Sequence, residues 1–131
     1  MNHIKFAYKN KYTIEERKSE TSKVRSKYTD KIPVIIIKDP SSKLNNITKE
    51  KYLVPFDLTI GQFMSIVRQK TSIGQDQAIN IFLIDYNNNT ILAPTSVSFE
   101  SLYLQYVEKE INNKNYDGYI YLIYTGENVF G

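Results

Sequence analysis

The run Ile32-Pro33-Val34-Ile35-Ile36-Ile37 limits most what this chain can fold into. It carries no charge, is rich in β-branched side chains and does not alternate polar with apolar, the pattern of a strand buried on both faces. A sheet with material packed on each side follows. A second such run, Gly118 to Gly126, is rich in Tyr and Ile, and Ile79 to Tyr86 is a third. The third meets the Asn87-Asn88-Asn89 turn and a short strand near Ile91-Leu92-Ala93, which together read as a hairpin. Residues 51–56 alternate instead, Tyr52, Val54 and Phe56 against Lys51, Leu53 and Pro55. Pro55 has no N–H for a ladder, so at least one side of this strand lacks a neighbour.

Helix starts are marked by side-chain spacing. Thr13 with Glu16, and Thr59 with Gln62, have the capping-box pattern, and Ser98 is a third N-cap. The first helix, 13–28, is mostly polar; Ile14, Val24 and Tyr28 give it a thin apolar stripe, placing it on the surface of something else. The second, 59–70, sets Ile60, Phe63, Met64 and Val67 on one face, and the third, 98–109, does the same with Phe99, Leu102, Tyr103, Tyr106 and Val107. Asn-rich stretches at 45–46, 87–89 and 112–115 fall between periodic segments and read as loops. The order α-β-β-α-β-β-α-β suits an α+β β-grasp, a mixed sheet curled around one main helix, with additional N-terminal helix. The expected division is 1–28 as helical extension, 29–125 as the β-grasp core and 126–131 as a tail.

Composition removes several function classes. A chain of 131 residues is single-domain size, and its lack of Cys excludes thiol catalysis and Cys-based metal sites. No apolar stretch reaches the roughly 18 residues of a spanning helix, and the N-terminus lacks a signal-peptide block. A soluble, cytoplasmic protein is expected, for which the sequons at Asn46 and Asn88 carry no meaning. His3 is the only histidine, in a segment expected to be mobile, and the glycines match neither a P-loop nor a dinucleotide fingerprint. Glu15 with Glu16 and Glu108 with Glu110 sit in charged helical stretches, as solvated faces do. No cofactor, no metal and no enzymatic activity are expected.

Residues 1–70 hold 15 basic against 7 acidic side chains, a net of +8, and residues 71–131 hold 2 against 7, a net of −5. The basic half either faces an acidic partner or serves solubility. Eleven Tyr and six Phe raise single-stranded nucleic-acid binding, but most fall at core positions away from the basic cluster, and packing is the better reading. The edge strand is more specific. Its unpaired backbone either is a guarded edge or accepts an extended peptide as an added strand; Leu53 on one pleat and Tyr52 and Val54 on the other supply apolar surface for binding.

The blocks Tyr28-Thr29-Asp30-Lys31-Ile32-Pro33-Val34, Lys51-Tyr52-Leu53-Val54-Pro55 with Asp57-Leu58-Thr59-Ile60-Gly61-Gln62-Phe63, and Tyr124-Thr125-Gly126-Glu127-Asn128-Val129-Phe130-Gly131 closely resemble the ubiquitin-like autophagy modifiers, over residues 5–131. The resemblance implies a ubiquitin-like β-grasp and a non-catalytic modifier. Its terminal Gly131 would be activated with ATP, passed through activating and conjugating enzymes, and joined to phosphatidylethanolamine on autophagosomal membrane. Glycine suits this, because without a Cβ it threads a narrow active site. Gly131 is either the encoded terminus or one exposed by the family's processing and delipidating cysteine protease.

The resemblance also implies docking of cargo-receptor peptides with an aromatic-x-x-aliphatic core. Its aromatic pocket maps onto Glu20, Val24, Pro33, Ile35, Lys51, Leu53 and Tyr119, and its aliphatic pocket onto Tyr52, Val54, Pro55, Leu58, Phe63 and Ile66. Lys31, Lys49, Lys51 and Arg68 would face the acidic flank, and Ile35 and Phe63 also read as plain core. Tyr119 stands where Phe is usual, Thr29 replaces a common Pro, and 109–117 is longer than the family loop. Microtubule contact by the basic N-terminal helix is a further implication, and nucleic acid is not an expected partner. The alternative is a β-grasp peptide-binding adaptor that is never conjugated.

Overall fold

The computed structural model describes residues 4–126. A five-stranded mixed sheet has the order β2-β1-β5-β3-β4, with β1 Lys31–Lys38, β2 Lys51–Pro55, β3 Asn80–Ile84, β4 Thr90–Leu92 and β5 Ile120–Thr125. The first and last strands lie side by side and parallel, Ile35 opposite Tyr121, while β2 and β3 flank them antiparallel. Ile32 to Ile37 and all of β5 are buried, as the unbroken apolar runs require. β2 forms one edge. It ends at Pro55 and not at Phe56, which is exposed in the following turn.

Strand alternation divides the side chains between two faces. On one face lie Ile32, Val34 and Ile36 with Tyr52 and Val54 of β2 and Leu122 and Tyr124 of β5. Helices α3, Ile60–Thr71, and α4, Phe99–Tyr106, cover it, and Phe63 joins them by edge-on ring contacts to Tyr52 at 5.6 Å and Phe99 at 5.2 Å. The capping box of Thr59 and Gln62 starts α3, and Ile60, Phe63 and Val67 are its buried stripe. Each such side chain contributes about 1.5–3 kcal/mol on burial. Backbone bonds from Ile60 N to Val97 O and from Phe99 N to Leu58 O tie the starts of the two helices together.

The other face carries Pro33, Ile35 and Ile37 with Leu53, Tyr121 and Ile123, and N-terminal helices cover it. These are α1, Ala7–Lys11, and α2, Ile14–Lys27, the latter opened by the capping box of Thr13 and Glu16. One expectation, the way α2 docks, is corrected here. The N-terminal segment packs from Ile4 onward, with Phe6 buried and its ring 4.8 Å from that of Tyr121. And α2 does not dock through an Ile14, Val24 and Tyr28 stripe. Tyr28 is exposed beyond the helix end, and the buried residues of α2 are Arg17 and Thr21.

Polar bonds therefore hold α2. Arg17 Nε donates to Asp117 Oδ2 at 2.8 Å, and its Nη1 reaches the carbonyls of Lys9 at 3.1 Å and Tyr12 at 2.6 Å. Thr21 Oγ1 donates to the Asp117 carbonyl at 2.6 Å. Asp117 is fully buried and also accepts from Tyr121 Oη at 2.5 Å and Tyr119 N at 3.0 Å. Gly118 follows at φ +91°, a conformation L side chains avoid, and a Cβ there would collide with Thr21 Oγ1. Among the described residues no helix is long and apolar enough to cross a membrane, and no His, Cys, Asp and Glu group of three could hold a metal ion.

Candidate functional site

Because β2 is an edge, half of its backbone has no partner within the sheet. Glu50 O accepts from Ile36 N at 2.8 Å, so the alternation of an antiparallel ladder turns Tyr52 and Val54 toward β1 and Lys51 and Leu53 outward. Pro55 ends that free ladder. Side chains at the edge split as the sheet does. Leu53 and Lys51 share the face of the N-terminal helices, Tyr52 and Val54 the face of α3.

On the first face Glu20, Lys51 and Tyr119 meet. Glu20 Oε1 accepts from Lys51 Nζ at 2.7 Å and from the Tyr119 hydroxyl, linking α2, the edge strand and the entry to β5. Val24 is half-buried one turn further along α2, and Pro33 lies opposite Leu53 in the ladder. Leu53 is 38% exposed, whereas Ile35, on the same face, has no exposed surface. Tyr8 of α1 completes the group. Its hydroxyl donates to Glu20 Oε1 at 3.0 Å and lies 2.8 Å from that of Tyr119, with Lys51 Nζ 5.5 Å from its ring centre. Sequence reasoning missed Tyr8, since α1 has five residues and no side-chain cap to announce it.

The electrostatics follow from this convergence. Burial pushes the Glu20 carboxyl up, but hydrogen bonds from Lys51, Tyr119 and Tyr8 and the Lys51 charge outweigh it and hold the group below the usual carboxylate range. For Lys51, burial pulls down while the Glu20 bond and charge raise it above an ordinary lysine. Burial first, then the Glu20 bond, pushes the Tyr119 hydroxyl far up, so it stays protonated and a donor.

On the second face Tyr52, Leu58 and Ile66 are half-buried and Val54 and Phe63 are buried, whereas Pro55, expected among them, is exposed and falls by strand alternation on the first face with Lys51 and Leu53. Phe63, 1% exposed, is core and backs Tyr52. The Tyr52 hydroxyl is buried and has no hydrogen-bond partner among the described residues. Of the expected basic flank, Lys49 Nζ stands 4.9 Å over the Tyr52 ring and Lys31 lies beside Pro55 in the ladder. Arg68 is engaged elsewhere, donating to the Gly74 carbonyl at 2.6 Å beyond the end of α3. Gly131 lies outside the described residues, as does His3.

A β-grasp sheet covered on one face by an N-terminal helix pair, with partly exposed apolar side chains on both faces of one free edge, defines a ubiquitin-like domain of a particular kind. The family model described as autophagy protein Atg8, ubiquitin like, matches residues 16–131. Autophagy-related protein 8 of Pichia angusta is 41% identical over 124 residues, covering 95% of this chain and 90% of its own. Autophagy-related protein 8B of Oryza sativa subsp. indica is 41% identical over 127 residues, 97% of each. The crystal structure of Trypanosoma brucei ATG8 superposes with a TM-score of 0.77 at 32% identity, covering 98% of this chain and all of that one. Plasmodium falciparum Atg8, solved in complex with a Plasmodium falciparum Atg3 peptide, gives 0.72 at 32% identity over 92% of this chain and 95% of its own. The chain belongs to the Atg8 family of ubiquitin-like autophagy proteins.

Proposed function

We propose that this protein is a modifier joined through Gly131 to phosphatidylethanolamine on autophagosomal membranes, where its β2 edge docks aromatic-x-x-aliphatic peptides of cargo receptors and autophagy factors. The observation that carries the docking half is the placement of partly exposed apolar side chains on opposite faces of one free edge. In an extended peptide, residues three apart point to opposite faces. A strand added beside Lys51 and Leu53 would deliver its aromatic residue toward Glu20, Val24, Leu53 and Tyr119, and its aliphatic residue toward Tyr52, Leu58 and Ile66. Lys31, Lys49 and Lys51 favour an acidic flank.

The conjugation half rests on family membership, the family match running through Gly131. Activating and conjugating enzymes and a processing cysteine protease are then the catalytic partners; the Plasmodium relative solved with an Atg3 peptide supports the conjugating enzyme among them. The modifier itself catalyses nothing and needs no cofactor, and it moves from cytoplasm to membrane on lipidation.

Incubation with the activating enzyme, the conjugating enzyme, ATP and phosphatidylethanolamine liposomes tests it, scored by mass for a Gly131-linked lipid. The adduct should form and vanish in Gly131→Ala. No adduct, with the enzymes active on a control substrate, would leave an unconjugated peptide-binding adaptor.

A further inference from the structure

Away from the edge strand, a cavity of about 370 Å³ opens between α2, α4 and the segment that leads into β5. Lys18, Ser22 and Arg25 line it from α2, Tyr103 from α4, and Ile111 and Tyr116 from that segment. Thr21 also borders it, with its hydroxyl committed to the Asp117 carbonyl at 2.6 Å. At 3.6 residues per turn Lys18, Ser22 and Arg25 share one side of α2, whereas Glu20, which meets the edge strand through Lys51, lies on the other. The cavity is therefore separate from the β2 edge.

Its walls are held in place. The Arg25 guanidinium stands 4.8 Å over the Tyr103 ring, and the Tyr116 ring meets Tyr86 edge-on at 5.6 Å. Asn115 Nδ2 donates to the Tyr86 carbonyl at 3.0 Å and Asn113 Nδ2 to Asn87 Oδ1 at 2.8 Å, pinning the segment that carries Ile111. Ile111 is nonetheless 60% exposed. Arg25 Nη1 donates to the carbonyls of Thr29 at 3.1 Å and Lys31 at 2.6 Å, which leaves the N–H groups on Nε and Nη2 for an incoming acceptor.

Among the described residues neither Lys18 nor Arg25 is paired with a carboxylate. Of the acids whose charge reaches Tyr116, Asp117 is buried and matched by Arg17, and Glu108 is exposed. Seven residues at a rise of 1.5 Å put the two cations about 10 Å apart along α2, with the exposed Ile111 offered beside them. A second helix has the same rise. Laid along α2, one with carboxylates at i and i+7 brings each opposite a cation, and an apolar side chain at i+4 falls between them, level with the cavity. We propose that this cavity is a second docking site, independent of the β2 edge, and that its occupant is an acidic amphipathic helix of a partner protein with that acid-apolar-acid spacing.

The test titrates the full chain, labelled with ¹⁵N, with an alanine- and glutamine-based peptide of about 20 residues, long enough to hold a helix in water, carrying Glu, Leu and Glu at i, i+4 and i+7. Saturable amide shifts should gather at 18–25 and 111–116. Lys18→Gln, at an exposed position, should weaken binding about fivefold, and Ile111→Ser about tenfold. Lys18→Glu should weaken it further, and a peptide with Lys in place of one Glu should bind that variant better than the parent peptide does, a rescue that mere loss of structure cannot produce. No saturation at about 1 mM peptide would overturn the proposal, as would shifts gathered on Lys51 and Leu53 instead. Unchanged affinity in both Lys18→Gln and Ile111→Ser would overturn it too.

Discussion

Replacing Arg17 by Met should loosen the helix pair from the sheet, at a cost that can be worked out from its bonds. The guanidinium holds the fully buried Asp117 at 2.8 Å and the carbonyls of Lys9 and Tyr12 at 3.1 and 2.6 Å. Removing one partner of a buried pair costs about 3–5 kcal/mol, because the other charge is left uncompensated. Asp117 keeps hydrogen bonds from Tyr121, Tyr86 and the Tyr119 amide, which points to the lower end, about 3 kcal/mol. With an unfolding entropy of roughly 2.1 cal/mol/K per residue, that is a fall of about 10 °C in Tm for a chain of this length. Thermal unfolding followed by circular dichroism measures it, and amide exchange should show the lost protection concentrated in α1 and α2. Arg17→Met combined with Asp117→Asn leaves no orphaned charge and should regain more than half the loss. A loss under about 1 kcal/mol in the single variant, below the range for a broken buried pair, would refute the reasoning. So would a double variant no better than the single.

Three further outcomes are expected. The folded Glu20 carboxyl titrates below its ordinary 4.5, so its contribution to stability is present above that value and is lost as pH falls through the lower folded-state value. The stability difference between wild type and Glu20→Gln should therefore shrink from pH 7 to pH 3 in denaturant titrations; a constant difference contradicts it. Tyr52→Phe deletes a buried hydroxyl without a partner among the described residues and should leave stability unchanged or raise it by about 1 kcal/mol, read from the urea midpoint. Gly118→Ala combines a φ of +91° with a collision against Thr21 and should destabilise by about 2–3 kcal/mol, read in the same way.

Much of this architecture was legible before any coordinates, for local reasons. The capping boxes of Thr13 with Glu16 and Thr59 with Gln62 put their signal within one helical turn, and both are formed. The run from Ile32 to Ile37 demanded cover on two faces, and Pro55 marked the edge strand. The lapses share a different cause. Arg17 and Asp117 are separated by 100 positions, and nothing near either announces the other. With no visible partner, Arg17 reads as one more charge on a polar helix, so the docking of α2 was assigned to the apolar residues at hand. Tyr8 was missed likewise, because its role exists only once α1, α2 and the approach to β5 have met at Glu20.

The parallel pairing of β1 with β5 has a consequence for how the molecule comes into being. The middle of the sheet is built from the first strand and the last, so during synthesis β1 emerges long before the neighbour that will flank it. Until Ile120 to Thr125 have left the ribosome, a nearly uncharged strand has one bare edge and β3 cannot reach it, since β5 stands between them. Such high contact order slows folding and leaves nascent chains open to strand-to-strand association. Chains truncated before β5 should therefore need chaperone protection and collect as insoluble material.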